Sequence, residues 1–217
     1  MSDSFFLVLE GMDGSGKSEI SRRLTALLKD TLAPEQAEHT YEPHNESAAG
    51  QYIRDVLGKR ITISSRTLAL AYALNRADHN ERLINPFLDG GERRVLVCDR
   101  YYHSLLVYQA TDGVTTDDLL DLSRNARVPD LTIFLDASPE TCDARIGSRK
   151  AQRELFEERL TETRAKYFSV IELLRGRGDR IEIVDANGSI ADVLNGVIHA
   201  LNAHAPAWLR LEGVASE

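Results

Sequence analysis

The chain has 217 residues, of which 42% are hydrophobic and 28% charged, enough to bury one globular core, and a single domain over 1–217 is expected. A formal net charge of −8 argues against a protein that grips a nucleic-acid polymer, which needs clustered positive charge over a broad face; a mononucleotide needs only a few inward arginines. Cys98 and Cys142 stand apart among apolar neighbours and read as reduced, packed thiols. No apolar run reaches the roughly 18 residues of a membrane span, and the first strand starts too early for a signal peptide, so a cytoplasmic protein without a membrane partner is expected.

The first predicted strand, Phe5–Glu10, leads into Gly11-Met12-Asp13-Gly14-Ser15-Gly16-Lys17-Ser18, and a helical pattern follows. This is P-loop spacing in its strand, loop, helix setting. The glycines let the backbone turn tightly and aim N–H groups at phosphate oxygens, while the helix presents its positive end to the same anion. Lys17 offers a charge to the β- and γ-phosphates of ATP, and Ser18 a hydroxyl to Mg²⁺.

Further strands are expected at Ala37–Tyr41, Arg94–Cys98, Leu131–Leu135 and Ile181–Val184, with helical patterns between them. Such alternation gives an α/β architecture, a five-stranded parallel sheet with helices on both faces. Ser64–Leu88 reads as one long helix, kinked near its end by Pro86 and stopped at Asp89-Gly90-Gly91. In the last helix Ile190, Val193, Leu194, Val197, Ile198 and Leu201 keep the spacing of a buried stripe. Ala203–Glu217 reads as a loosely docked extension past it.

Ligands of such sheets gather at the carboxyl ends of the strands, which here read Glu10-Gly11, Glu42-Pro43, Asp99-Arg100 and Asp136-Ala137. Asp136, ahead of Ser138-Pro139-Glu140, reads as a loop or helix-cap acid. Asp99-Arg100 differs, because Tyr101-Tyr102-His103-Ser104 and then Tyr108-Gln109 follow it.

That run resembles the thymidylate kinase signature, in which Asp-Arg-Tyr is followed at fixed spacing by Ser and Tyr-Gln. The resemblance extends, in order, to the Asp-containing P-loop, Glu42-Pro43, Gly50-Gln51-Tyr52-Ile53-Arg54, Tyr72 and Arg76, Pro129-Asp130, and Thr163-Arg164-Ala165-Lys166-Tyr167. It implies the P-loop kinase fold with a short lid at about 146–157, transfer of the γ-phosphoryl group of Mg·ATP to dTMP for dTTP synthesis, and a homodimer.

It also implies roles. Tyr72 stacks on the base and Arg76 hydrogen-bonds it; four residues apart on a helix, they share a face, although spacing alone equally suits a core aromatic beside a solvated arginine. Arg54 and Arg100, approaching from different strand ends, hold the acceptor phosphate, for which a planar fork that never loses its charge is suited. Asp13 meets the sugar 3′-hydroxyl, and Ser104, Tyr108 and Gln109 meet pyrimidine and sugar. Glu42 and Pro43 border the acceptor, and Arg145 packs against adenine. Asp99 either orients Mg²⁺ through water or pairs with a neighbouring arginine. P-loop positions 14 and 15 carry no arginine, so Arg149 and Arg153 of the lid are expected to meet transition-state charge, unless with Lys150 they form only a solvated helix surface.

The chain departs from the family pattern at His44-Asn45-Glu46-Ser47, where two glycines and a threonine are usual, and at Asn75, where aspartate is common. Tyr72 replaces the usual phenylalanine, and Gln152-Arg153 an Asp-Arg pair. Alternatives are a related pyrimidine nucleotide or nucleoside kinase, the nucleoside form being disfavoured by Asp99-Arg100-Tyr101, and a P-loop sensor that binds ATP without catalysis.

Overall fold

A computed structural model describes residues 3–111, 113–147 and 159–215. Five parallel strands form one sheet: β1 (Phe5–Gly11), β2 (Ala37–Tyr41), β3 (Val95–Asp99), β4 (Leu131–Asp136) and β5 (Ile181–Asp185), in the spatial order β2-β3-β1-β4-β5. They lie within a residue or so of the predicted positions, because apolar runs flanked by polar residues mark strands covered on both faces. Every residue of β1 is buried.

The helices are α1 (Lys17–Thr31), α2 (Ala48–Leu57), α3 (Ser65–His79), α4 (Asn85–Asp89), α5 (Tyr102–Gln109), α6 (Thr116–Ser123), α7 (Pro139–Gly147), α8 (Leu160–Gly176) and α9 (Ile190–His204). α1 and α9 pack together and against the sheet, while α5 meets β1 and is flanked by α3, α6 and α8. The central position of β1 places the P-loop in the middle of the carboxyl edge, with the ends of β3 and β4 beside it.

Three expectations change. The 64–88 helix is not simply kinked at Pro86: a π-helical turn, Asn80–Ile84, precedes Pro86, and Asn85 N donates to the Asn80 carbonyl five residues back. Proline has no N–H for the carbonyl of Arg82, so the wider turn carries the chain past the gap. In α9 the stripe is buried from Val193 to Leu201, but Ile190 is 46% exposed; as the first residue of the helix it borders a groove beside Arg23 and Leu27 of α1.

The C-terminal segment is docked more firmly than expected. Leu209 and Leu211 are buried. Asn202 exchanges two hydrogen bonds with Leu211, and Asn195 two with Val214. The Trp208 indole donates to Asp3 at 2.7 Å.

Candidate active site

The loop between β1 and α1 turns through Gly14 (φ +84°) and Gly16 (φ +95°). A Cβ on Gly14 would stand 2.5 Å from the carbonyl of Cys142 on α7, so only glycine fits both the angle and the space. Gly16 precedes α1 and makes no side-chain cap bond, and an uncapped helix N-terminus is one that can meet an anion. Met12 is buried and its carbonyl accepts a bond from Lys17 Nζ at 2.7 Å. Burial, and then the charge of Arg100, push the Lys17 ammonium down to about 8, despite opposing help from Asp13, Asp99 and Glu10. Ser15 Oγ is buried without a hydrogen-bond partner among the described residues.

Ser18 Oγ donates to Asp99 Oδ2 at 2.5 Å. Asp99 Oδ1 is buried and has no hydrogen-bond partner among the described residues. Of the two expectations for Asp99, pairing with an arginine is not seen among the described residues; its bond there is to the P-loop serine. Arg145, on α7, donates to the carbonyls of Ser15 (3.5 Å), Ala186 (3.0 Å) and Gly188 (3.3 Å), bridging the P-loop and the turn after β5. Arg149 and Arg153, with nearly all of the expected lid, lie outside the described residues.

Beside the P-loop opens a cleft of about 620 Å³, lined by every residue expected at the acceptor: Asp13, Glu42, Pro43, Arg54, Tyr72, Arg76, Arg100, Ser104, Tyr108 and Gln109. Leu57, Tyr101 and Leu105 complete it. Arg54 enters from α2 and not from a strand end, which corrects the expectation for it. Its Nε donates to Asn45 Oδ1 at 2.8 Å.

Arg100 follows β3 with φ +69° and reaches back to the P-loop, bonding Asp13. It also donates to Ser104 Oγ at 3.0 Å and to Tyr167 OH at 3.4 Å, and lies over the Tyr108 ring. Burial opposes its charge, but Asp13, Glu10 and the other neighbours outweigh that, so its pKa rises and the guanidinium stays charged. One side chain thus joins the phosphate loop to the cleft.

Arg76 is buried at the base of the cleft, with Nε and Nη2 each 2.8 Å from Glu42 Oε2. Glu42 Oε1 faces His79 Nδ1 at 3.3 Å. Glu42 is therefore first of all the counter-ion of Arg76, where the sequence suggested only a neighbour of the acceptor. Asp136 is likewise corrected: it holds Arg164 through two bonds of 2.7 and 2.8 Å, and Ser138 Oγ, not Asp136, accepts from the first turn of α7.

Two groups central to the site have no assigned role in the sequence. Glu10, at the end of β1, accepts at Oε1 from Tyr101 N (2.8 Å) and Ser104 N (3.1 Å). At Oε2 it accepts from Ser104 Oγ (2.7 Å) and Tyr167 OH (3.1 Å). Burial pushes its pKa up against the pull of Arg100. Tyr167, on α8, also lies within 3.1 Å of the Gly11 carbonyl. The strand-end position of Glu10 and the family position of Tyr167 were the available signals.

Residues 9–197 match the family model described as thymidylate kinase. The chain is 32% identical over 200 residues to a probable thymidylate kinase of Methanococcus aeolicus, covering 90% of this chain and 95% of that one. It is 34% identical over 207 residues to the thymidylate kinase of Ruegeria pomeroyi, with 92% and 95% covered. The solved thymidylate kinase of Candida albicans shares the fold, with a TM-score of 0.73 at 24% identity over 94% of this chain and 93% of that one. Because the family match runs from β1 into α9, taking in both the phosphate loop and the cleft, this chain belongs to the thymidylate kinase family.

Proposed function

We propose that this protein transfers the γ-phosphoryl group of Mg·ATP to the 5′-phosphate of dTMP, giving dTDP and ADP for dTTP synthesis. The observation that carries the reading is the junction at Arg100, whose guanidinium bonds Asp13 of the P-loop while lining a cleft equipped for a second nucleotide.

In this reading the Gly11–Ser18 loop and Lys17 hold the donor phosphates, and Arg145, bonded to the turn at 186–188, borders the adenine. Arg54 and Arg100 hold the acceptor phosphate. Asp13 takes the sugar 3′-hydroxyl, while Tyr72 and Arg76 meet the base, with Ser104, Tyr108 and Gln109 around it and Glu42 and Pro43 at the border. Two anions resist approach, and inward guanidinium groups offset that repulsion where water is excluded. Phosphoryl transfer asks little covalent chemistry of the protein; alignment and charge do most of it. No general base is required, because a phosphate monoester with a second pKa near 6 is already ionised at pH 7.

Among the described residues no three His, Cys, Asp or Glu side chains gather to hold a metal by themselves. The Ser18 hydroxyl and the unpartnered Asp99 oxygen nonetheless fit a hard cation that takes most of its ligands from phosphates and water. Mg²⁺ there would neutralise charge on the donor phosphates. With no P-loop arginine, Arg149 and Arg153 of the lid at about 146–157 complete the charge around the moving group and close over ATP. We take the chain to be a single kinase domain acting as a cytoplasmic homodimer; among the described residues no helix is long and apolar enough to cross a membrane.

A coupled ADP-release assay with dTMP, dUMP, dCMP and thymidine as acceptors tests the reading. Turnover should be strongest on dTMP. Preference for dUMP or dCMP would reassign the base, turnover on thymidine but not dTMP would make it a nucleoside kinase, and ATP binding without transfer would make it a sensor.

A further inference from the structure

We infer that Asn75 is a positioning residue for the acceptor phosphate, acting through the 44–47 turn and Arg54. This rests on the reading that Arg54 grips that phosphate. Asn75 is 1% exposed and sits on α3 directly before Arg76. Its Oδ1 accepts from His44 N at 2.8 Å, and its Nδ2 donates to the His44 carbonyl at 2.9 Å and to Ser47 Oγ at 2.7 Å.

The clamped turn in turn holds α2. Ser47 Oγ accepts from Gly50 N at 2.9 Å, capping the helix that carries Arg54. Asn45 Oδ1, inside the turn, accepts from Arg54 Nε at 2.8 Å, and its carbonyl accepts from Gln51 Nε2 at 2.7 Å. The packing is tight: a Cβ on Gly50 would stand 2.0 Å from the His44 carbonyl. Contacts therefore run unbroken from α3, the element bearing Tyr72 and Arg76, to the guanidinium of Arg54 on the other wall of the cleft.

Only a carboxamide satisfies this position. It must accept from an N–H and at the same time donate to a carbonyl and a hydroxyl, whereas a carboxylate accepts only and would set its oxygen against the His44 carbonyl. Two of the departures from the family pattern, Asn75 and the 44–47 run, meet here in one set of bonds and form a single device. Their effect is to fix the distance between the phosphate-binding and base-binding walls.

The test compares binding of dTMP and of thymidine, which lacks the phosphate, by calorimetry on the full-length protein and on Asn75→Asp, Asn45→Ala, Arg54→Ala and the Asn45→Ala/Asn75→Asp double variant, with thermal melting alongside. Asn75→Asp and Asn45→Ala should each weaken dTMP about tenfold and leave thymidine within about twofold, and the double variant should be no weaker than the worse single one. Equal losses for dTMP and thymidine would reduce Asn75 to a structural role and overturn the inference, as would unchanged dTMP affinity in Asn45→Ala. Should Asn75→Asp fail to fold, Asn45→Ala alone decides. If Arg54→Ala leaves the dTMP to thymidine ratio unchanged, the reading of Arg54 falls and the inference with it; a changed ratio there with intact Asn45→Ala binding overturns the inference alone.

Discussion

Arg76→Ala should damage both stability and acceptor binding. The substitution removes the guanidinium that Glu42 Oε2 meets at two distances of 2.8 Å, and the two side chains are only 4% and 3% exposed. What remains is a buried carboxylate facing His79 Nδ1 at 3.3 Å. Removing one partner of a buried pair costs about 3–5 kcal/mol, because the other charge is left uncompensated. For a chain of this length each kcal/mol moves the melting temperature by about 2–4 °C, so a fall of about 6–20 °C is expected in calorimetry at pH 7. Arg76→Met combined with Glu42→Gln removes both charges and should recover most of that loss while dTMP binding stays weak. A melting temperature for Arg76→Ala within about 2 °C of the parent would refute the buried-pair reasoning. An unchanged acceptor KM would remove Arg76 from the base site.

Three further outcomes follow from the geometry. With Lys17 pushed down to about 8 from its ordinary 10.5, the folded ligand-free protein holds fewer protons than the unfolded chain between those values. Its stability therefore rises with pH across that window, and Lys17→Met, besides abolishing turnover, should be the more stable protein below pH 8 and lose that advantage towards pH 10.5. ATP phosphates restore the ammonium, so binding near pH 8.5 should take up protons, seen as buffer-dependent heats that vanish in Lys17→Met; heats independent of buffer would contradict the assignment. Gly14→Ala drives a Cβ to 2.5 Å from the Cys142 carbonyl and should abolish ATP binding in a fluorescent-nucleotide titration, whereas near-normal affinity would mean the loop is not held as described. Tyr167→Phe removes a hydroxyl shared by Glu10, Gly11 and Ser104, and should cost about 1–3 kcal/mol in urea denaturation, a loss that no change in midpoint would disprove.

The sheet was legible because its strands are unbroken apolar runs, and the donor loop because its spacing is tied to one anion-binding geometry. The residues that line the cleft were legible as a set: no single one of Arg54, Tyr72, Arg76 or Arg100 marks it, yet their order along the chain does. Glu10 escaped because its partners lie 91 to 157 residues away and nothing local distinguishes it from a solvated strand-end acid. Glu42 was read as a neighbour of the substrate because its counter-ion sits 34 residues downstream. Ile190 fits the periodicity of α9 and is still half exposed, since spacing identifies a face and not how far the neighbouring element extends to cover it.

Transfer as proposed requires one arrangement, an acceptor phosphate held between Arg54 and Arg100 at the mouth of the P-loop. A crystal structure with a bisubstrate analogue, adenosine and thymidine joined through their phosphates, measures it directly. The thymine should lie against Tyr72 above Arg76, with the phosphate nearest the thymidine bonded by both arginines and the far phosphates in the Gly11–Ser18 loop. A thymidine moiety bound outside the cleft, or Arg54 and Arg100 turned away from the phosphate chain, would contradict it.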